Sequence, residues 1–244
     1  FWNDTKVEKD ELIRQMKLSK EAGYGGLSIL PFGKNFKPEY LSESYFDVYR
    51  TCVEEAKKME LTLWIYDEYG FPSGTAGDIN GDGFGRFKHK YPEHTNKRLD
   101  KTEYIPRSNE LFTQTLSGEL IMAAIAMDTV TLQKFNLRPY ISGNQLKYKV
   151  PEGDWKIMVF TCVDAGNSIV DYMSPEAVDL FIQMTHDRYY AHFKDYFGST
   201  IAGTFFDEPT LYYAEGRSWT PAFNRKFEKK YGFSPEMYYP ALRY

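Results

Sequence analysis

The sequence predicts an α/β fold, part of a (β/α)₈ TIM-type barrel of about four βα units, interrupted by a small antiparallel β-sandwich. Helical periodicity alternates with short apolar runs in residues 1–91 and again in 167–244, as in a parallel α/β sheet. Residues 92–166 instead carry successive extended runs. We therefore predict three segments, which are the first part of the barrel, an inserted β-sandwich-like domain and the continuation of the barrel.

Two helix–strand pairs are predicted before the insert. A helix from about residue 4 to 22 is stopped by glycines, and a short buried strand follows over 27–30. A second helix, capped by Ser42, places its aromatic and small apolar side chains on one face. The next strand covers 62–66, after a connection of normal length for βα units.

The glycine-rich stretch 70–87 is predicted to be a long loop that leaves the end of a strand. Such loops are usually functional or disordered. Asp78, Asn80 and Asp82 alternate as they do in a calcium-binding loop, but the twelfth position is His89 rather than Glu. A solvated glycine loop is therefore the favoured interpretation.

Short strands separated by turn residues predict the inserted β-sandwich. The extended runs cover 119–126, 129–135, 145–150 and 155–163, with Asp, Asn, Gly and Pro between them. Lysines alternate with apolar residues along the third run, so one face of this strand is predicted to be solvated.

The α/β pattern resumes after the insert. A third strand is predicted over 168–172, followed by a helix over 174–193 that begins with the Ser-Pro start signal. A fourth strand ends in Asp-Glu-Pro at 207–209, and a final helix covers 221–231. His186 and His192 are six residues apart and do not share a helix face, so no metal pair is predicted.

Composition excludes several classes of function. The 244 residues carry a net charge of −4 without a basic patch, so no nucleic-acid partner is expected. No apolar run approaches the ~20 residues that cross a membrane, so no membrane insertion is expected. The two cysteines form no motif, no secretory signal is readable, and the compartment stays unknown.

The aromatic content is high, with 20 Tyr, 18 Phe and 4 Trp, and such rings suit partly wet sites such as sugar-binding surfaces.

Paired carboxylates at strand ends are the strongest functional signal. The runs that end in Asp67-Glu68 and Asp207-Glu208 would place acids at the C-terminal edge of a barrel, where active sites lie. Two carboxyl groups are the machinery of glycoside hydrolysis, ~6.5–9.5 Å apart in inverting enzymes and ~5–5.5 Å apart in retaining ones. Glu208 and Glu68 are the candidate catalytic pair. The candidate substrate-binding residues are Asp207, Asp67, Tyr66, Trp64, Tyr172 and Asp171.

Several separated motifs resemble a known family. The segments LWIYDEYGFPSGTAGD, DYMSPEAVDLFIQMTHDRYYAHF and IAGTFFDEP, with FWN and EAGYGGLSILPF near the start, are similar to bacterial glycoside hydrolases related to α-L-rhamnosidases. The resemblance implies a (β/α)₈ barrel, an inverting mechanism on oligo- or polysaccharides, a calcium ion near the site, and a periplasmic or secreted location. The sequence itself requires no cofactor.

The chain is too short for such a barrel. A complete one needs eight βα units and ~250 residues without insertions. The missing half is therefore expected in the rest of a parent chain or in another chain. Two alternatives to an inverting enzyme stay open, which are a retaining glycosidase and a non-catalytic carbohydrate-binding protein on a degenerate barrel.

Overall fold

A computed structural model describes residues 8–32, 37–77, 85–208 and 216–242. They divide into two compact units. The first unit comprises the described residues up to Thr95 and from Ser168 to Glu208, and the second comprises Asn96–Asn167 and the described residues from Gly216 onward. This division differs from the predicted one, because the last part of the chain joins the second unit rather than continuing the barrel.

The first unit is built on a parallel sheet of three strands in the order β1, β2, β10. These strands are β1 (Gly26–Ile29), β2 (Thr62–Tyr66) and β10 (Ile201–Phe205). Gly26 of β1 lies opposite Thr62, and a side chain there would meet the Thr62 hydroxyl at 2.3 Å, so glycine permits this close approach. The observed α/β architecture agrees with the coarse prediction, whereas three strands do not establish a barrel.

Helices cover one face of this parallel sheet. They are α1 (Lys9–Glu21), α2 (Glu43–Lys58) and α5 (His186–Phe193), and their apolar side chains share one buried cluster with the strands. In β2, Leu63 and Ile65 are buried in this cluster, while Trp64 between them points to the opposite face. The Ser42 side chain accepts a hydrogen bond from the Tyr45 amide, which confirms the predicted helix cap.

Two predictions about the chain after the insert are wrong. The segment 168–172 forms no strand, and Val170 makes only an isolated antiparallel bridge with Thr95. The helix predicted over 174–193 is two helices, α4 (Pro175–Met184) and α5. The break occurs at Thr185, whose backbone leaves the helical region (φ −120°, ψ −79°).

The described part of the second unit consists of two antiparallel sheets and three helical segments. The five-stranded sheet has the order β11, β3, β9, β5, β6, and the three-stranded sheet has the order β4, β8, β7. The strands are β3 (Lys97–Tyr104), β4 (Leu111–Thr115), β5 (Leu120–Asp128), β6 (Lys134–Asn136), β7 (Ile141–Ser142), β8 (Gln145–Lys149), β9 (Trp155–Asp164) and β11 (Arg217–Trp219). The helical segments are α6 (Phe223–Tyr231) and two 3₁₀ helices, Arg138–Tyr140 and Glu236–Ala241.

The two antiparallel sheets share an apolar cluster. Ala124 and Ala126 of β5 and Ile157 of β9 belong to the same buried group as Leu146 and Tyr148 of β8. On the other side of the five-stranded sheet, Trp219 and Tyr239 pack against β5 and β9. This second contact explains why the end of the chain belongs to this unit.

The predicted extended run 129–135 is mostly a turn. The Asp128 carboxylate accepts hydrogen bonds from the amides of Val130 (2.9 Å) and Thr131 (2.7 Å), and these local bonds replace a strand ladder. Only Lys134–Asn136 is extended, as β6. Elsewhere, the structure adds a short helix α3 (Arg86–Lys90) to the first unit. None of the described helices is long and apolar enough to cross a membrane.

Candidate active site

Four carboxyl groups follow two neighbouring strands of the parallel sheet. Asp67 and Glu68 come directly after β2, and Asp207 and Glu208 come just after β10. Because β2 and β10 pair in parallel, their ends lie at the same edge of the sheet. The charges of the other three acids all raise the pKa of Glu68, so the structure brings the two predicted pairs into one electrostatic cluster.

Ser73 joins the two strand ends. Its hydroxyl donates to Asp67 Oδ1 at 2.6 Å and accepts from the Asp207 amide at 2.9 Å. The Ser73 amide in turn donates to the Asp207 carbonyl at 2.9 Å. Ser73 is completely buried, so these three hydrogen bonds fix the spacing of the two acid pairs without competition from water.

The two acids after β2 are buried, and both have raised pKa values. Burial raises the pKa of Asp67 to about 7, against the lowering effect of the Ser73 hydrogen bond. Burial and the charge of Asp67 raise the pKa of Glu68 to about 9. Neither carboxyl oxygen of Glu68 has a hydrogen-bond partner within the described part of the chain, which leaves its charged form unstabilised.

His186 lies against Asp67, a contact that the sequence analysis did not predict. Its Nε2 atom is 3.5 Å from Asp67 Oδ2, and burial lowers the pKa of the imidazole. The Thr185 hydroxyl donates to the Phe181 carbonyl at 2.9 Å and lies 2.9 Å from His186 Nδ1. Since the hydroxyl proton is already used, Nδ1 is the donor and Nε2 of the neutral ring is an acceptor that faces Asp67. Asp67 Oδ2 makes no hydrogen bond within the described residues, and the imidazole lies beside it at contact distance.

The two acids after β10 are more accessible. Glu208 is exposed, whereas Asp207 is partly buried and accepts a hydrogen bond from the Tyr66 hydroxyl at 2.7 Å. Burial and this hydrogen bond raise the pKa of Tyr66. Glu208 has a left-handed backbone (φ 43°), which is strained for a residue with a side chain and is often found at functional sites.

The remaining predicted binding residues differ in their surroundings. Trp64 is 42% exposed and packs against Gly203 of β10, where a side chain would meet the indole at 2.8 Å. The Tyr172 hydroxyl donates to the Ser73 carbonyl, and burial raises the pKa of Tyr172. Asp171 is buried and accepts a hydrogen bond from the Met173 amide at 2.9 Å, in the turn before α4.

A pocket of about 400 Å³ opens beside these groups in the first unit. Most of its wall is apolar, and Asp67 and His186 contribute polar atoms. Its lining residues are Asp67, Tyr172, Val178, Phe181, Ile182, His186, Thr204 and Phe206. An apolar pocket with a few convergent polar groups of shifted pKa is the usual form of an active or binding site.

Exposed aromatic rings surround the same edge of the sheet. Phe32 follows β1 and Phe71 follows β2, and the two rings stack with centroids 5.6 Å apart. They are 38% and 40% exposed. Phe205 at the end of β10 lies 4.8 Å from the Tyr66 ring. Phe32, Phe71 and Phe205 were not among the residues predicted from the sequence, although each lies at or after the end of a recognisable apolar run.

The described residues contain no group of three or more His, Cys, Asp or Glu side chains arranged to hold a metal ion. The alternating acids at 78–82 lie outside the described residues. The calcium ion implied by the resemblance therefore has no ligand set in the described part of the chain, and we derive no chemical step through it.

Comparisons with known proteins agree with the sequence motifs. A solved rhamnosidase from Novosphingobium sp. PP1Y has the same fold over 98% of this chain, with a TM-score of 0.63 and 11% identity. The predicted resemblance to rhamnosidase-related glycoside hydrolases is confirmed. A curated protein of Formosa agariphila, named "Putative beta-glucuronidase", is 23% identical over 288 aligned residues that include 99% of this chain. No known family profile matches the chain.

The chain spans only part of both proteins. It covers 40% of the rhamnosidase chain and 24% of the Formosa agariphila protein. The structural likeness at 11% identity concerns the fold, while the chemistry must be argued from the carboxyl cluster of this chain.

Proposed function

We propose that this chain forms part of a glycoside hydrolase that cleaves oligo- or polysaccharides by carboxylate acid–base catalysis. One observation carries the proposal, namely that two Asp-Glu pairs meet at the ends of adjacent parallel strands in unequal environments. Glycoside hydrolysis needs one carboxyl group that keeps its proton and another that accepts one. The glycosidase names of the two similar proteins support the same reaction class.

Glu208 is the proposed member of the catalytic pair that meets substrate and water, because it is the exposed carboxyl of the cluster. The sequence analysis paired it with Glu68. Both acids after β2 are buried, but Asp67 lines the pocket and has a pKa of about 7, so we propose Asp67 as the partner of Glu208 instead. A carboxylic acid that is half protonated at neutral pH is a suitable general acid.

The other polar and aromatic groups are proposed to hold the sugar. Asp207, kept in position by Tyr66, would accept hydrogen bonds from sugar hydroxyls. Trp64 and the stacked pair Phe32 and Phe71 offer exposed ring faces for the apolar side of a pyranose. Residues from the part of the protein beyond this chain would complete the site.

Hydrolysis of aryl glycosides by the full-length protein tests the proposal. The panel includes an α-L-rhamnoside and a β-D-glucuronide, and the variants are Glu208→Gln, Asp67→Asn and Glu68→Gln. Glu119→Gln is the matched control, because Glu119 is an exposed glutamate of the second unit. Circular dichroism verifies that each variant folds.

We expect Glu208→Gln and Asp67→Asn each to lower kcat by at least about 10²-fold, the usual contribution of a general acid or base. Glu68→Gln and the control should retain most of the activity. A folded Glu208→Gln variant with unchanged kcat would remove Glu208 from the mechanism. Loss of activity in Glu68→Gln but not in Asp67→Asn would restore the pair predicted from sequence.

The stereochemistry separates the remaining alternatives. We propose inversion, as the family resemblance implies, so the first product anomer seen by NMR should have the configuration opposite to that of the substrate. Retention would instead indicate a nucleophilic carboxylate. A protein that binds oligosaccharides without hydrolysing any of them would support a non-catalytic carbohydrate-binding function.

A further inference from the structure

A second and larger pocket in the first unit has a cationic lining. It has a volume of about 740 Å³, within the range of small-molecule sites, and lies between α3 and the α4–α5 junction. Its lining residues are Arg86, His89, Lys90, Tyr91, Gln183, Met184 and Arg188. Among these described lining residues, three carry a positive charge at neutral pH and none carries a negative charge, on a chain whose net charge is −4.

Backbone contacts hold the two arginines in place. Arg86 Nη1 donates to the Tyr40 carbonyl at 3.0 Å, and Arg188 Nη2 donates to the Leu41 carbonyl at 3.1 Å. The two guanidinium groups are therefore anchored to adjacent residues of one loop. Each guanidinium has five N–H donors in a fixed plane, so one anchoring bond leaves others directed elsewhere. Anchoring reduces the entropy lost when a ligand binds.

Two acids compete only weakly for these arginines. Glu39 Oε1 lies 3.2 Å from Arg86 Nη2, and Glu43 Oε1 lies 4.0 Å from Arg188 Nη2. Both glutamate side chains are largely exposed, at 68% and 80%. Exposed ion pairs of this kind contribute little stability, so an incoming anion can replace them.

We propose that this pocket binds the carboxylate or sulfate group of an acidic saccharide. Arg86 and Arg188 would form charge-assisted hydrogen bonds to the anion, with Lys90 adding a positive charge. Tyr91 and Met184 supply apolar wall against which a sugar ring can pack. The saccharide part of the inference rests on the proposed function, whereas recognition of an anion rests on the pocket alone.

Calorimetric titration tests the proposal with four saccharide probes and no requirement for hydrolysis. Trigalacturonate is compared with its neutral methyl ester, and a sulfated galactan oligosaccharide is compared with its desulfated form. Inorganic sulfate serves as a probe of the anion alone. The double variant Arg86→Gln/Lys90→Gln removes two charges from the pocket. The control Lys17→Gln/Lys229→Gln removes two charges from exposed lysines outside it.

We expect at least one acidic probe to bind at least tenfold more tightly than its neutral counterpart. The acidic probe that binds more tightly shows whether the pocket recognises a carboxylate or a sulfate group. The pocket variant should weaken this binding at least tenfold, and the control variant should leave it within twofold. Raising NaCl from 50 to 300 mM should also weaken it, because the attraction is partly screened. Glu39→Gln should tighten binding about two- to fivefold by releasing Arg86, a gain that a misfolded variant could not show.

Equal affinity for acidic and neutral probes, or equal losses in the pocket and control variants, would overturn the inference. If inorganic sulfate competes with the saccharides and the attached sugar adds no affinity, the pocket binds small anions only. That result would overturn the saccharide part of the inference. Failure of the proposed hydrolysis would leave these binding results unchanged, so the two proposals fail separately.

Discussion

The substitution Glu68→Gln should stabilise the protein, and the gain should grow with pH. The folded state raises the pKa of Glu68 from 4.5 to about 9, because the carboxyl group is buried beside other acids. Between these two values the folded protein keeps a proton that the unfolded chain releases. The contribution of protonated Glu68 to the stability of the fold is therefore fully present below pH 4.5, and it is lost as the pH rises towards 9. Glutamine has nearly the same shape but cannot ionise.

The expected magnitude follows from the size of the pKa shift. One pKa unit corresponds to about 1.4 kcal/mol. Glu68→Gln should therefore raise the free energy of unfolding by about 3 kcal/mol at pH 7 and by about 5 kcal/mol at pH 8.5, with little change near pH 4.5. The slope of about 1.4 kcal/mol per pH unit is the diagnostic quantity, since a packing effect would not depend on pH.

Hydrogen exchange of peptides from β2 and α2 measures this free energy for the first unit separately. Variant and unaltered protein are compared at each pH, so that intrinsic exchange rates cancel. Glu119→Gln should show no pH-dependent difference, because Glu119 is exposed. A Glu68→Gln variant whose stability difference is constant with pH, or negative at pH 8.5, would refute the assignment of a buried protonated carboxyl.

Three further predictions concern the scaffold. Gly74→Ala should lower the free energy of unfolding by about 2–4 kcal/mol in thermal melts, because Gly74 has φ 106° and a Cβ atom would lie 2.3 Å from the Tyr172 hydroxyl. Leu63→Ala should cost about 2–5 kcal/mol by the same assay, since Leu63 is fully buried beneath the helices. Hydrogen bonds from Thr131 lower the pKa of Asp128. The ionised Asp128 carboxylate therefore stabilises the fold at neutral pH, and this contribution is lost in acid. Asp128→Asn should accordingly be less stable at pH 7 and match the unaltered protein at low pH in urea titrations.

The sequence predicted those features that depend on local pattern and strand direction. The apolar runs at 62–66 and 201–205 form β2 and β10, and each ends where the acids begin. Parallel pairing of these two strands was enough to bring Glu68 and Glu208 into one cluster. The helix caps at Ser42 and Ser174 were also readable, because capping uses neighbouring residues.

The features that could not be predicted from the sequence depend on contacts between residues far apart in the chain. The apolar stretch 168–172 looks like a strand, but its amides bond to loops, with Val170 donating to the Gly74 carbonyl and Asp171 to the His94 carbonyl. These partners are far away in sequence, and nothing in the stretch itself reveals them. The contact of His186 with Asp67 was missed for the same reason, and also because the helix break at Thr185 that orients the ring has no strong sequence signal.

The carboxyl cluster shows why a site of this kind needs a well-packed support. Keeping Asp67 and Glu68 protonated costs several kcal/mol at neutral pH, which is comparable to the total stability of a domain. Leu63 and Ile65, on the face of β2 opposite Trp64, pack in one buried cluster with side chains of α2 and α5, and this packing supports the strand end that carries the two acids. The raised pKa values come from burial and from the neighbouring acids, and this packing keeps the two carboxyl groups buried. A substitution that loosens this core should lower the pKa of Asp67 towards its ordinary value, and with it the capacity of that group to donate a proton at neutral pH.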